Sequence, residues 1–120
     1  MTDKKQVLGR WGEDAAARYL QERGYEILER NYRTARGELD IIARRDDVLF
    51  FVEVKTRSSN RFGYPEDAVT ARKQARMQKA AETYLENHPE CPETWQFDIL
   101  AITQTRGLPP AIEHFENVIT

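Results

Sequence analysis

The sequence has little cysteine, no long hydrophobic run and no strong excess of either charge. Its one cysteine, Cys91, excludes an intrachain disulfide and is typical of a reducing compartment such as the cytoplasm. The longest aliphatic and aromatic run covers only residues 48 to 52, whereas a membrane-spanning helix needs roughly 20 such residues. The first residues contain no apolar stretch of the signal-peptide type. We therefore expect a cytoplasmic protein with no membrane partner.

Charge is nearly balanced over the chain but unevenly distributed. The 18 basic and 20 acidic side chains give a formal net charge of −2, which argues against nucleic-acid binding through a global positive field. Residues 54–80, however, contain seven basic and two acidic side chains, a local charge of +5. This basic segment fits either a polyanion-binding face or an ordinary solvated helix surface, and the sequence leaves both open.

The length of 120 residues predicts a single domain over residues 1–120. Hydrophobic periodicity predicts two helices and five strands within it. One helix covers Lys5 to Arg23 with Gly24 as its C-cap glycine, and a second runs from Pro65 until Pro89 stops it. The predicted strands are Tyr25–Arg33, Glu38–Arg45, Val48–Arg57, Trp95–Thr103 and Ala111–Ile119. The order αβββαββ predicts an α/β fold, with a mixed sheet of about five strands flanked by helices.

Three acids, Asp40, Glu53 and Asp98, interrupt strands that are otherwise apolar. An unpaired carboxylate in a low-dielectric interior loses several kcal/mol of hydration, so such a position needs a cation, a hydrogen-bond network or a metal ion. Each of these three acids should therefore have a specific partner in the folded protein.

The predicted turn Asp46-Asp47 sets the register of the strands on either side of it. A two-residue loop there places Asp40 opposite Glu53 and Glu38 opposite Lys55. Opposed Cβ atoms lie about 4.5 to 5.5 Å apart, and like charges at that distance are destabilising unless a positive charge lies between them. A divalent cation such as Mg²⁺ meets that need, because it prefers carboxylate oxygens and completes its shell with water and phosphate.

Alternatives remain at these positions. Lys55 could neutralise Glu38 or Glu53 in a structural ion-pair ladder, with Asp40 solvated at a strand end, and spacing alone does not decide between this and a metal site. Glu13 shares a helical stripe with Gly9, Ala16 and Leu20. That stripe predicts a close helix–sheet approach and a third carboxylate at the site, although a surface glutamate is the alternative.

Five segments together resemble a known family. They are Gly12-Glu13, Gly37-Glu38-Leu39-Asp40, Phe51-Val52-Glu53-Val54-Lys55-Thr56-Arg57, Val69-Thr70-Ala71-Arg72-Lys73-Gln74 and Phe97-Asp98-Ile99. In this order, from about Val7 to Ile102, the chain resembles the YraN-like bacterial family. That family is similar to the restriction-endonuclease-like (PD-(D/E)xK) nucleases, which include archaeal Holliday junction resolvases.

The resemblance implies a restriction-endonuclease-like fold in which Asp40 and Glu53 ligate Mg²⁺ or Mn²⁺. It also implies that Lys55 orients or activates the attacking water and that Glu13 assists from the first helix. One departure is Leu39, which stands where the superfamily name has a proline. Because proline is not a ligand, this does not indicate lost activity.

Further residues are assigned supporting roles. Those expected to contact nucleic-acid phosphates are Arg57, Arg72, Lys73, Arg76 and Lys79. Glu38 and Asp98 are expected to support the site from behind the ligands, Asp98 by binding a lysine or a backbone amide, with direct ligation of the metal ion as the alternative for Asp98.

The favoured hypothesis is a metal-dependent endonuclease that acts on DNA in preference to RNA, branched or junction DNA included. The rival is a non-catalytic nucleic-acid-binding or scaffolding module, which would hold nucleic acid in the presence of a chelator. A metal-independent ribonuclease would need a histidine near Lys55, and neither His88 nor His114 is suitably placed. A homodimer is left open.

Overall fold

A five-stranded mixed sheet with one helix on each face forms the core of the protein. The structure is a computed structural model that describes residues 4–58 and 70–119, with side chains from residue 7. The elements are α1 (Lys4–Glu22), β1 (Glu26–Arg33), β2 (Glu38–Arg45), β3 (Val48–Ser58), α2 (Ala71–Asn87), β4 (Thr94–Gln104) and β5 (Ala111–Phe115). The strand order is β1-β2-β3-β4-β5, and only β3 and β4 are parallel. The predicted α/β class and element order are confirmed.

Helix α1 ends as its sequence predicts. Gly24 adopts a φ of 86°, a left-handed conformation that glycine reaches without strain. Its N–H donates to the Gln21 carbonyl at 3.1 Å, and the Tyr25 N–H donates to the Leu20 carbonyl at 3.0 Å. This pair of bonds is a Schellman motif, which satisfies the last helical carbonyls and directs the chain into β1.

Alternation along β2 and β3 separates two layers of core. Ile41 and Val52 pack against α1, in a cluster that includes Leu20. On the opposite face, Ile42 and Phe51 pack against α2 in a second cluster. The residues that α2 buries there are Met77, Ala80, Ala81 and Tyr84. Neither α1 nor α2, the helices within the described ranges, is long and apolar enough to cross a membrane.

The hairpin between β2 and β3 has the predicted register. Pairs run from Arg45 with Val48, next to the turn, to Ile41 with Val52. They stop there, although β2 begins at Glu38 and β3 continues to Ser58. Asp40 and Glu53 are therefore the first residues beyond the regular ladder.

Helix α2 begins later than predicted. Thr70 is extended, with φ −70° and ψ 165°, and its hydroxyl accepts the Lys73 N–H at 3.2 Å. This is N-cap geometry, so α2 begins at Ala71 rather than at Pro65. Pro65 itself lies outside the described residues.

The last strand is shorter than predicted and ends at Phe115 instead of Ile119. Asn117 has a φ of 54°, and its N–H donates to the buried carboxylate of Asp98 at 2.9 Å. The Val118 N–H then donates to the Phe97 carbonyl at 2.8 Å. The chain thus turns at Asn117, and Ile119 joins the core cluster beside α2.

Candidate functional site

The side chains of β2 change from one face of the sheet to the other around Asp40. Leu39 packs in the cluster beside α2, whereas Ile41 packs in the cluster beside α1. In a regular strand, residues two apart lie on the same face, so the strand is irregular at Asp40. The neighbouring strand β1 is irregular at the same level, where Asn31 has a φ of 54°. Irregularities of this kind redirect a side chain next to functional sites.

The redirected carboxylate of Asp40 lies between β2 and β3. Its Oδ2 atom accepts the Val54 N–H at 2.7 Å, a donor that a continued ladder would give to a backbone carbonyl of β2. Burial, followed by the negative charge of Glu53, raises the pKa of Asp40 to about 7. The negative charge of Glu53 thus acts on Asp40, the acid predicted to meet it across the hairpin.

Glu53 is 5% exposed and forms an ion pair with Lys73 of α2. Burial opposes the charge of Lys73, but the hydrogen bond to Glu53 and the charge of Glu53 outweigh it and raise the lysine's pKa. Lys73 is therefore an ammonium group fixed against a buried carboxylate.

Lys55 differs from Lys73 in its electrostatics. Burial and the neighbouring charge of Lys73 lower the pKa of Lys55. The ion pair of Glu53 is with Lys73, and Glu38 pairs with Arg33 at 3.6 Å. The structural alternative expected Lys55 to neutralise Glu38 or Glu53. In the structure these two acids pair with Arg33 and Lys73 instead.

The ion pair of Lys73 with Glu53 was not predicted from the sequence, which indicated only a phosphate contact for Lys73. A signal was present, because Lys73 lies at helical spacing from Met77, Ala80 and Tyr84, all of which are buried. A lysine in line with an apolar stripe points toward the sheet at the edge of the core, where its ammonium can reach a buried acid.

Glu13 lies on the other side of the sheet from α2. Its Oε1 atom accepts hydrogen bonds from Arg30 Nε at 3.0 Å and from Asn31 Nδ2 at 2.9 Å. Its side chain is 13% exposed and lines a cleft of about 440 Å³ together with Asp40 and Arg57. Glu13 thus adds a fixed carboxylate to the cleft that contains Asp40.

The close approach of α1 to the sheet occurs at Gly12, not at Gly9 as the predicted stripe implied. A Cβ atom on Gly12 would lie 1.9 Å from Oγ1 of Thr56 on β3, whereas one on Gly9 would have no described atom within 4 Å. Similarly, a Cβ atom on Gly37 would lie 1.8 Å from the Arg76 carbonyl of α2. Glycines therefore bring both helices close to the strands that position the site.

The predicted phosphate-contacting residues divide between two clefts. Arg57 lines the cleft on the α1 side with Asp40. A second cleft, of about 270 Å³, lies on the α2 side; the charged residues that line it are Glu38, Glu53, Arg72, Lys73 and Arg76. Lys79 lies farther along α2, where it pairs with Glu82 at 3.6 Å.

Asp98 forms a separate network. It is fully buried, and its Oδ1 atom accepts hydrogen bonds from Gln96 Nε2 and the Asn117 N–H, both at 2.9 Å. Its Oδ2 atom lies 2.7 Å from His114 Nε2, and His114 Nδ1 lies 3.3 Å from the Tyr19 hydroxyl. The expected backbone-amide partner of Asp98 is present. The pairing with His114 was not foreseen, because β4 and β5 bring the two residues together from 16 positions apart.

Asp98 and His114 also form, with Glu116, a group that could hold a metal ion, since one ligand atom from each lies within 4.8 Å of the others. Both carboxylate oxygens of Asp98 already have partners in the fold. This group is separate from the Asp40–Glu53 pair, for which the sequence predicts a metal ion.

Comparison with known proteins identifies the relatives of this chain. Residues 12–102, which include Glu13, Asp40, Glu53 and Lys55, match the model of the uncharacterised protein family UPF0102, the YraN-like family expected from the motifs. A UPF0102 protein of Syntrophomonas wolfei is 53% identical over 92% of this chain and 95% of its own length. A UPF0102 protein of Syntrophotalea carbinolica is 48% identical over 96% of this chain and 93% of its own length. These names state a family and no activity.

Proposed function

The chain belongs to the UPF0102 family, and we propose that it is a metal-dependent nuclease whose site is formed by Glu13, Asp40, Glu53 and Lys55. The observation that carries the proposal is the apposition of Asp40 and Glu53 where the β2–β3 ladder ends. Two neighbouring carboxylates need a cation, and their oxygen atoms are the ligands that Mg²⁺ and Mn²⁺ prefer.

The residues present fit such an ion. The contact of Glu53 with the Lys73 ammonium supports this, because it means that a positive group is accommodated at the carboxylates. Asp40 and Glu53 would hold the metal ion, which when bound supplies a Lewis acid that polarises a phosphoryl oxygen and acidifies water. Asp98 and Glu38 would not be ligands of this ion, because their contacts hold neighbouring parts of the fold together.

The remaining chemistry belongs to the side chains. Lys55, with its lowered pKa, can exchange a proton with the attacking water or donate to the phosphate as charge develops. Glu13, held by Arg30 and Asn31, adds a carboxylate to the Asp40 cleft that can orient water. These roles are those implied by the family resemblance, and the lowered pKa of Lys55 and the place of Glu13 in the Asp40 cleft support them.

The substrate class follows from the basic residues around the two clefts. Arg57 on one side, and Arg72 and Arg76 on the other, flank the carboxylates. Regularly spaced phosphates would provide counter-charges for these guanidinium groups. We therefore propose nucleic acid as the substrate. The preference for DNA, branched DNA included, rests on the resemblance to resolvases alone.

A non-catalytic nucleic-acid-binding module is the second candidate, and the Glu53–Lys73 ion pair favours it, since the same contact also fastens α2 to the sheet. A histidine-dependent ribonuclease has no such support. The chain has two histidines, of which His114 contacts Asp98 and His88 stacks on Tyr84.

Cleavage of a labelled panel of duplex, single-stranded and branched DNA and RNA tests the proposal, in Mg²⁺, in Mn²⁺ and in chelator. Asp40→Asn should abolish cleavage, and Asp47→Asn, in a side chain that is fully exposed, should not change it. We expect the wild type to cut at least one substrate only when metal is present. Nucleic-acid binding in chelator, with no cleavage in either metal, would instead favour the binding module.

A further inference from the structure

We propose that Lys73 is a built-in counter-cation of the site, that a divalent metal ion displaces it from Glu53, and that its ammonium group then binds a substrate phosphate. This inference rests on the proposed function and adds a regulatory step to it. Metal binding would thereby prepare the phosphate-binding cleft, so that metal ion and nucleic acid bind cooperatively.

The first argument is the position of Lys73 on its helix. Its backbone N–H is fixed by the N-cap hydroxyl of Thr70, at 3.2 Å. Its side chain crosses from α2 to Glu53 on β3. Lys73 therefore belongs to the metal-free site together with the carboxylates, although it comes from a different element.

The second argument is that a metal ion and the Lys73 ammonium compete for the same carboxylate. Glu53 Oε1 accepts from Lys73, and Glu53 is almost fully buried. A divalent ion at Asp40 and Glu53 would place two further positive charges beside Lys73 and Lys55, and like charges at such distances repel strongly away from bulk water. One of the two lysines has to move.

The third argument identifies which lysine moves. The Lys73 side chain is 33% exposed on a helix surface and has a flexible stem, whereas Lys55 projects from a central strand of the sheet. Lys73 also lines the α2-side cleft with Arg72 and Arg76. Once released, its ammonium would join two guanidinium groups in a cleft suited to a phosphate.

Calorimetric titration of Mn²⁺ and Mg²⁺ into metal-free protein tests the competition. Lys73→Met and Lys73→Gln should each tighten metal binding by about tenfold, a typical coupling between two ligands of one site. The glutamine variant keeps a hydrogen-bond donor toward Glu53 and guards against loss of folding in the methionine variant. Lys79→Met, which removes an exposed lysine of the same helix that pairs with Glu82, should leave the affinity unchanged.

A second measurement on the wild type separates displacement from simple charge repulsion. Acetylation of each lysine by acetic anhydride, quantified by mass spectrometry, should be slow at Lys73 without metal, because its ammonium group is held against the buried Glu53 carboxylate. Reactivity should rise as Mn²⁺ is added, with its midpoint at the calorimetric dissociation constant, while Lys79 stays constant. A Lys73 whose reactivity is unchanged at saturating metal would overturn the inference.

The two proposals fail in different ways. Metal binding that depends on Asp40 but is the same in wild type and both Lys73 variants would overturn the displacement and leave the proposed nuclease site standing. Absence of metal binding in the wild type and in all variants would overturn both proposals together.

Discussion

At the scale of single residues, the two lysines near Glu53 differ in their ion pairing and in the direction of their pKa shifts. Lys73 carries the ion pair with Glu53 and has a raised pKa, whereas the pKa of Lys55 is lowered by burial and by the charge of Lys73. The ion pair of the buried Glu53 is therefore with Lys73, and in the proposed function Lys55 acts on the substrate or on water. The separation can be tested because each lysine can be removed alone.

Lys55→Met should slow cleavage severely while leaving the melting temperature of the metal-free protein unchanged or slightly higher. The methionine keeps most of the packing of the stem and removes an ammonium that Lys73 repels. Loss of a group that stabilises transition-state charge typically slows turnover by roughly 10²-fold to 10³-fold. Cleavage rate and thermal unfolding measured on one preparation provide the check.

Lys73→Met is the comparison for that experiment. It leaves Glu53 without its cation, so metal-free protein should lose stability. The loss should be below the roughly 3 to 5 kcal/mol of a fully buried pair, because the Lys73 side chain is a third exposed. If Lys55→Met lowers the melting temperature as much as Lys73→Met does, then Lys55 is a structural counter-ion after all.

The apposition of Asp40 and Glu53 could be predicted from the sequence, because it depends on a local feature, the turn between β2 and β3. The Asp46-Asp47 turn fixes the pairing of β2 with β3, so the apposition of Asp40 and Glu53 follows from counting along the hairpin. The Lys73 contact could not be counted in this way, because the distance between a helix and a strand depends on tertiary packing. The same limit applies to Asp98 and His114.

At the scale of elements, glycine sets how closely α1 approaches β3. The hypothetical Cβ atom of Gly12 overlaps the side chain of Thr56, and Glu13 is the next residue on the helix. A larger residue at position 12 would push α1 outward and carry the Glu13 carboxylate with it. The position of Glu13 in the Asp40 cleft therefore depends on the residue before it.

Gly12→Ala should destabilise the fold by about 1 to 3 kcal/mol, the usual cost of overpacking, and should slow cleavage by displacing Glu13. Gly9→Ala is a matched control on the same helix, since it meets no described atom within 4 Å. Removing a helical glycine at an open position should be neutral, or stabilising by up to about 1 kcal/mol. Chemical denaturation of both variants gives the comparison, and equal destabilisation by both would contradict the close approach at Gly12.

Element boundaries show where sequence patterns compete. The sequence predicts a helix start at Pro65, whereas Thr70 caps α2 because its hydroxyl accepts the Lys73 N–H. The end of β5 depends on a tertiary contact, the hydrogen bond from the Asn117 N–H to Asp98. No local pattern contains that contact, so strand propensity predicted β5 as continuing to Ile119.

At the scale of the whole molecule, a slightly acidic chain concentrates basic residues beside its buried acids. The net charge is −2, yet α2 carries Arg72 and Arg76 to the rim of the cleft that contains Glu53. The Asp98–His114–Glu116 group lies elsewhere in the fold and differs from the Asp40–Glu53 pair in its hydrogen bonds and exposure. Asp98 accepts hydrogen bonds that join β4 to the segment after β5, and only Glu116 in that group is exposed. The hydrogen bonds of Asp98 connect these elements, and this structural role does not require a metal ion.

Calorimetric titration of Mn²⁺ into wild type, Asp40→Ala and Glu116→Ala compares these two groups directly. The proposed ligands Asp40 and Glu53 and the Asp98–His114–Glu116 group are alternative sites for the ion. Metal binding that is lost in Asp40→Ala and unchanged in Glu116→Ala is the result predicted here. Binding that survives Asp40→Ala and disappears in Glu116→Ala would contradict the assignment of the metal to Asp40 and Glu53.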